Sequence, residues 1–327
     1  MATPSEKLAE SLEVLKELQD KGIMAFKSSE LSRVHRERLS KNGFLSEVMK
    51  GWYLSVPESE QQGDSTSWYA SYWHFCARYL DDRYGKTYCI SPEQSLQIHS
   101  GNWTVPQQLI IRSTQGVNSQ TPLPHGTSLF SIKSPLITNA EMQEINGIRI
   151  LTLPSSLIHC SPTMFIKSAT DIRTALTMIS NSSEILKILL DGGHSTVAGR
   201  LAGAFRNIGQ DRIADDIVRT MKTAGYDVRE IDPFETKTLI TLSSREKSPY
   251  VNRIKLMWHT MREVIIKNFP KAPGLPKDPA IYMKMVEDIY VTDAYHSLSI
   301  EQYKVTPELI ERVKIEKWDT KKNKEDK

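Results

Sequence analysis

Apolar residues recur at helical spacing at the start of the chain: Leu8, Leu12, Leu15 and Leu18 form one stripe. Thr3-Pro4-Ser5-Glu6 precedes them with a capping hydroxyl, a proline suited to the first helical position and a glutamate that completes a capping box. Gly22 predicts the end of this helix. A short apolar run, Ile23–Phe26, follows, and Ser28-Ser29-Glu30-Leu31-Ser32 predicts a short capped helix. Arg33–Lys41 predicts a third helix with Val34 and Leu39 facing inward, stopped by Asn42-Gly43. Phe44–Val48 and Trp52–Val56, joined by Met49-Lys50-Gly51, predict a β-hairpin.

Beyond a polar, turn-rich boundary at 57–66, the pattern changes. Trp68, Tyr72, Phe75 and Tyr79 recur on one helical face, a stripe of core residues. Strands are predicted at Lys86–Ile90, Gln107–Arg112, Thr127–Lys133 and Ile148–Leu153, with a helix over Ser91–Ser100 and another beginning at Ser155. Asp171–Gly225 reads as helical, broken at Gly192-Gly193. Gly199 and Gly203, four residues apart, share one helix face and predict close helix packing. Asp232–Ser248 reads as a linker with at most one strand, Leu239–Leu242. Ile254, Met257, Trp258, Met261 and Ile265 mark an amphipathic helix, and another begins near Pro279 with Ile281, Met285 and Ile289 on one face. Thr306-Pro307-Glu308 starts a further helix. The fold class expected is α+β and multidomain: an N-terminal winged helix, a mixed α/β body and a helical C-terminal part.

Charge changes the picture locally. The 327 residues carry 42 Lys and Arg against 39 Asp and Glu, a balance of +3 that points to no polyanion as a whole. Residues 21–56, however, hold seven cations (Lys21, Lys27, Arg33, Arg36, Arg38, Lys41, Lys50) against three glutamates, a net +4. Helix, short helix, helix, hairpin is the order of a winged helix, in which the third helix enters the major groove and the hairpin touches phosphate. Arg33, Arg36, Arg38, Lys41 and Lys50 are therefore the candidate contacts to double-stranded DNA. The alternative is a protein-interaction module with a solvated basic helix. The N-terminus lacks the basic start and apolar stretch of a signal peptide, and no apolar run is long enough to span a membrane, so a cytoplasmic location away from membranes is expected. Cys76, Cys89 and Cys160 form no metal-ligand spacing and read as reduced thiols, and His99, His125 and His159 share no register and read as packing or surface residues.

The stretches Ser28-Ser-Glu-Leu-Ser32, Leu39-Ser-Lys-Asn-Gly-Phe-Leu45 and Lys50-Gly-Trp-Tyr-Leu54 resemble the N-terminal winged helix of AbiEi-type antitoxin regulators. The resemblance continues through Ser91–Asn102 and Leu153–Ile158, where the family has a nucleotidyltransferase-like body. The paired acids such a body would use on a metal and nucleotide are absent, so no catalysis is assigned to it.

Asp293–Glu301 and Val305–Arg312 resemble the helices that lead into a Fic domain, whose members transfer AMP from ATP to protein hydroxyls. One Fic class carries an inhibitory helix with Ser/Thr-x-x-x-Glu-Gly/Asn. Ser297 and Glu301 match that spacing, while Gln302 departs from it. The resemblance implies that Glu301 pairs with an arginine that would otherwise hold the γ-phosphate of ATP. None of the eight histidines begins the His-Pro-Phe-x-Asp/Glu-Gly-Asn-Gly-Arg stretch of a Fic core, so the chain is not expected to adenylylate on its own, and ATP and magnesium belong to the wider family. The domains expected are a winged helix at 1–57, an α/β body at 58–165, a helical subdomain at 166–231, a linker at 232–249, Fic-type helices at 250–318 and a charged, disordered tail at 319–327. The function expected is the regulatory, antitoxin-like portion of a Fic adenylyltransferase, acting on a Fic core in cis or in trans. The alternative is a stand-alone winged-helix regulator. A turnover enzyme based on the α/β body is the third possibility, and no turnover is expected of it.

Overall fold

The computed structural model describes residues 3–56, 65–136, 138–237, 248–271, 274, 278–300, 305–315 and 317–318. Contacts divide the chain into two units, Met1–Glu263 and Val264–Lys327. The fold is α+β with several small sheets and a helical C-terminal part.

Thr3 caps α1 (Pro4–Asp20): its hydroxyl accepts from Glu6 N–H while the Glu6 carboxylate accepts from Thr3 N–H. The chain then forms β1 (Ala25–Lys27), α2 (Arg33–Lys41), β2 (Leu45–Met49) and β3 (Trp52–Ser55), and the three strands pair in the order β1-β3-β2. Leu15, Phe26, Leu31, Leu39 and Leu45 fill the small core beneath them.

Two expectations fail here. Residues 28–31 form a turn, not a helix. The Glu30 carboxylate reaches back to Lys27 N–H and Glu30 N–H donates to Lys27 O at 3.0 Å, closing a single turn, while the carbonyls of Ser28 and Leu31 accept from Arg36. Val34 is 59% exposed. It lies about 140° around the helix from Leu39, and one face cannot bury both.

The aromatic helix α3 (Thr66–Tyr84) forms the next core. Trp52 of β3 packs edge-on against Phe75 and Tyr79, with ring centroids 5.7 and 5.8 Å apart. The first hairpin and the body therefore share one apolar core across the expected boundary at 57. The body continues with β4 (Tyr88–Ile90), α4 (Pro92–His99), β5 (Gln108–Ser113), β6 (Ser119–Pro122), β7 (Ser128–Lys133), β8 (Met142–Ile145) and β9 (Ile148–Leu151). The four-stranded sheet runs β4-β5-β7-β6, with β5 and β7 parallel and the other neighbours antiparallel. β8 and β9 make a separate hairpin across Asn146-Gly147. Neither β6 nor β8 is among the expected strands: β6 is polar and largely exposed, and β8 sets only Met142 and Ile145 around the exposed Gln143 and Glu144.

Helices α5 (Leu153–His159), α6 (Met164–Lys167), α7 (Ala169–Thr177), α8 (Ser183–Gly192), α9 (Ser195–Asn207) and α10 (Asp211–Thr223) surround a second large core. Gly199 and Gly203 do share a helix face, but what lies on it is extended chain, not a helix. A Cβ at Gly199 would meet Arg229 O at 2.0 Å, and one at Gly203 would meet Ile231 O at 2.2 Å. The extended segment is held: Phe234 is buried under the Arg173 guanidinium, 4.3 Å from the ring centroid, and Asn207 donates to Asp232 at 2.9 Å. The first part of the expected linker is thus packed, while the strand expected at Leu239–Leu242 lies outside the described residues. α11 (Pro249–Asn268) follows.

In the second unit, α12 (Pro279–Ile300) packs with α13 (Pro307–Lys314), which is capped by Thr306 as expected. The tail at 319–327 lies outside the described residues.

Candidate nucleic-acid interface

The five basic residues expected on DNA separate into two groups. Arg36 donates to Ser28 O at 2.6 Å and to Leu31 O at 3.4 Å, and its guanidinium lies 5.5 Å from the Tyr53 ring centroid. Arg38 donates to Lys7 O and, at 2.7 Å, to the Oγ of fully buried Ser11, tying α2 to α1. These two arginines hold their own chain together. Arg33, Lys41 and Lys50 are exposed. Arg33 and Lys41 occupy the outward face of α2 with Val34, Glu37 and Ser40, and Lys50 is at the tip of the β2–β3 hairpin. Glu37 accepts from Arg33 Nε at 2.6 Å, so one cation on this face is already paired.

The module is fixed to the body by charged contacts that the sequence pattern does not reveal. Arg78 of α3 donates to Ala25 O and pairs with Glu30 at 2.6 Å, and Lys27 pairs with Asp82. Together with Trp52 and Glu144, these side chains line a cleft of about 460 Å³ behind the sheet. The outward face of α2 is thus mounted on a base with its own core and ion pairs.

Burial pushes the Cys89 and Cys160 thiols up to about 12 and raises Cys76 as well, so all three stay protonated and poor nucleophiles. Ser155 donates to Glu141 at 2.8 Å, and His159 Nε2 lies 3.6 Å from the same carboxylate. This order puts the carboxylate, not the imidazole, on the hydroxyl, so the three side chains are not in the serine–histidine–carboxylate order of a hydrolase triad. His99 is buried and its Nε2–H donates to Leu151 O at 2.8 Å, a packing role. Arg206 is held by Asp211, Asp215 and Glu230, and Arg219 by Asp216. Among the described residues no group of three His, Cys, Asp or Glu side chains is placed to hold a metal, and no helix is long and apolar enough to cross a membrane.

In the second unit, Ser297 is exposed near the end of α12. Glu301 and Gln302 lie outside the described residues. No family model and no curated protein matches the chain.

Proposed function

We propose that the chain is a winged-helix-type DNA-binding regulator that docks α2 and the β2–β3 hairpin on duplex DNA. The observation that carries this reading is the outward placement of Arg33, Lys41 and Lys50 on a helix and a hairpin tip belonging to one small sheet-bearing module. A helix across the major groove with a basic hairpin on the adjacent phosphates uses these three side chains together. Fluorescence anisotropy with the promoter duplex of the chain's own gene tests it. The triple substitution Arg33→Ala, Lys41→Ala, Lys50→Ala should weaken binding by about tenfold or more at low salt. Equal affinity for the parent and the triple variant overturns the reading.

A second reading makes the chain the inhibitory portion of a Fic adenylyltransferase. It is favoured by the exposure of Ser297, four residues ahead of Glu301 in the sequence. Adding the protein to a matching Fic core should lower adenylylation, and Glu301→Gly should relieve that effect. Undiminished activity on addition of the parent protein refutes it.

A further inference from the structure

Helix α11 is amphipathic with its sides reversed. Its docked face is polar: the Asn252 side chain, fully buried, donates to Thr177 at 3.0 Å, and Arg253 lies 3.3 Å from the buried Asp171 carboxylate, with Leu256 as the apolar contact between them. The opposite face carries Ile254 (65% exposed), Met257 (40%), Trp258 (56%) and Met261 (47%). The spacing i, i+3, i+4, i+7 is that of a helix whose apolar anchors enter a partner. The polar contacts beneath hold the helix in this orientation, so the stripe is not a helix waiting to roll over onto its own body.

The charges name the occupant. Apart from Arg253, which is paired with Asp171, α11 carries three cations (Lys255, Arg262, Lys267) against one glutamate, Glu263, 3.4 Å from Arg262, a net +2, and the exposed Lys255 and Arg262 border the stripe two turns apart. Two α11 helices would repel one another. α12, taken by itself, has the complementary character. Ile281, Met285 and Ile289 form an exposed apolar face, bordered by the exposed Asp288 and Asp293, and one lysine stands against three carboxylates for a net −2.

We propose that the chain forms a two-fold dimer in which the α11 stripe of each copy is covered by the α12 face of the other. Two-fold symmetry makes each contact twice, so the patch is self-complementary across two copies. The apolar anchors supply the burial, and the basic and acidic borders select α12 over a second α11. This inference is independent of the DNA-binding reading.

Sedimentation velocity on the full chain tests it. The parent protein should sediment as a dimer. Trp258→Glu, at an exposed position where folding is not disturbed, should raise the dimer dissociation constant by about thirtyfold or more. The variants Lys255→Glu/Arg262→Glu and Asp288→Lys/Asp293→Lys should each be monomeric, and mixing them should restore a heterodimer, because both contacts are then again between opposite charges. A parent protein that stays monomeric overturns the proposal. So does a dimer unaffected by Trp258→Glu, or a mixture of the two charge variants that stays monomeric, the result expected if the two helices pair within one chain.

Discussion

Arg36 and Arg38 lie in the most basic stretch of the chain, yet their donors end on backbone carbonyls and a buried serine, while Arg33 and Lys41 on the same helix face outward. Arg38→Ala should therefore act on stability, by about 1–2 kcal/mol, because Ser11 and Lys7 O lose a donor in a half-buried setting. Arg33→Ala should leave thermal stability nearly unchanged. Differential scanning calorimetry of the two variants separates the roles. His99 gives a pH signature. Burial lowers its pKa in the folded state, so as pH falls below the ordinary value of about 6.5 the unfolded chain takes up a proton that the folded chain refuses. Stability contributed by neutral His99 is present above that pH and is lost between it and the lowered folded value. Urea unfolding at pH 7.5 and 5.5 should show a drop on acidification, and His99→Gln should make the drop smaller. His159, lowered mainly by burial, contributes in the same sense and leaves a residual slope.

The elements most legible in the sequence are those with a local cause. The capping box of α1, the capping Thr306 of α13 and the proline that follows each cap place the starts of these two helices, and the aromatic stripe of α3 is buried as its spacing demands. β8 was missed although a local signal marks it: Asn146-Gly147 carries positive φ at both residues, +50° and +77°, the requirement of a tight hairpin turn. β6 was missed because a polar edge strand ending in proline has no periodic signal. The Gly199/Gly203 pair shows the limit of pattern reading. Spacing places both on one face but cannot say that extended backbone, not a helix, lies against it. The consequence is testable. Gly203→Ala would ordinarily favour a helix, but here the added methyl collides with the carbonyl of Ile231. Gly199→Ala and Gly203→Ala should each destabilise the protein by about 1–3 kcal/mol in chemical denaturation.

At the scale of the whole molecule, charge is local. The chain totals only +3, whereas residues 21–56 hold +4, so any polyanion binding should depend on that module and not on a diffuse field. The slope of log affinity against log salt should fall by about 0.9 for each phosphate contact removed, so the triple variant should lose between about two and three units of slope. A slope unchanged in that variant would move the contact elsewhere. Which arginines face outward was not legible in the sequence, because it depends on long-range partners: Ser11, twenty-seven residues before Arg38, and the turn carbonyls that Arg36 binds.

The four-stranded sheet has one further property. Its outer strand β6 reads Ser119-Gln-Thr-Pro122, mostly exposed, and ends in a residue with no N–H to offer. Such an edge is a poor template for another extended chain, so crowded or partly unfolded molecules find no ready place there to start a fibre.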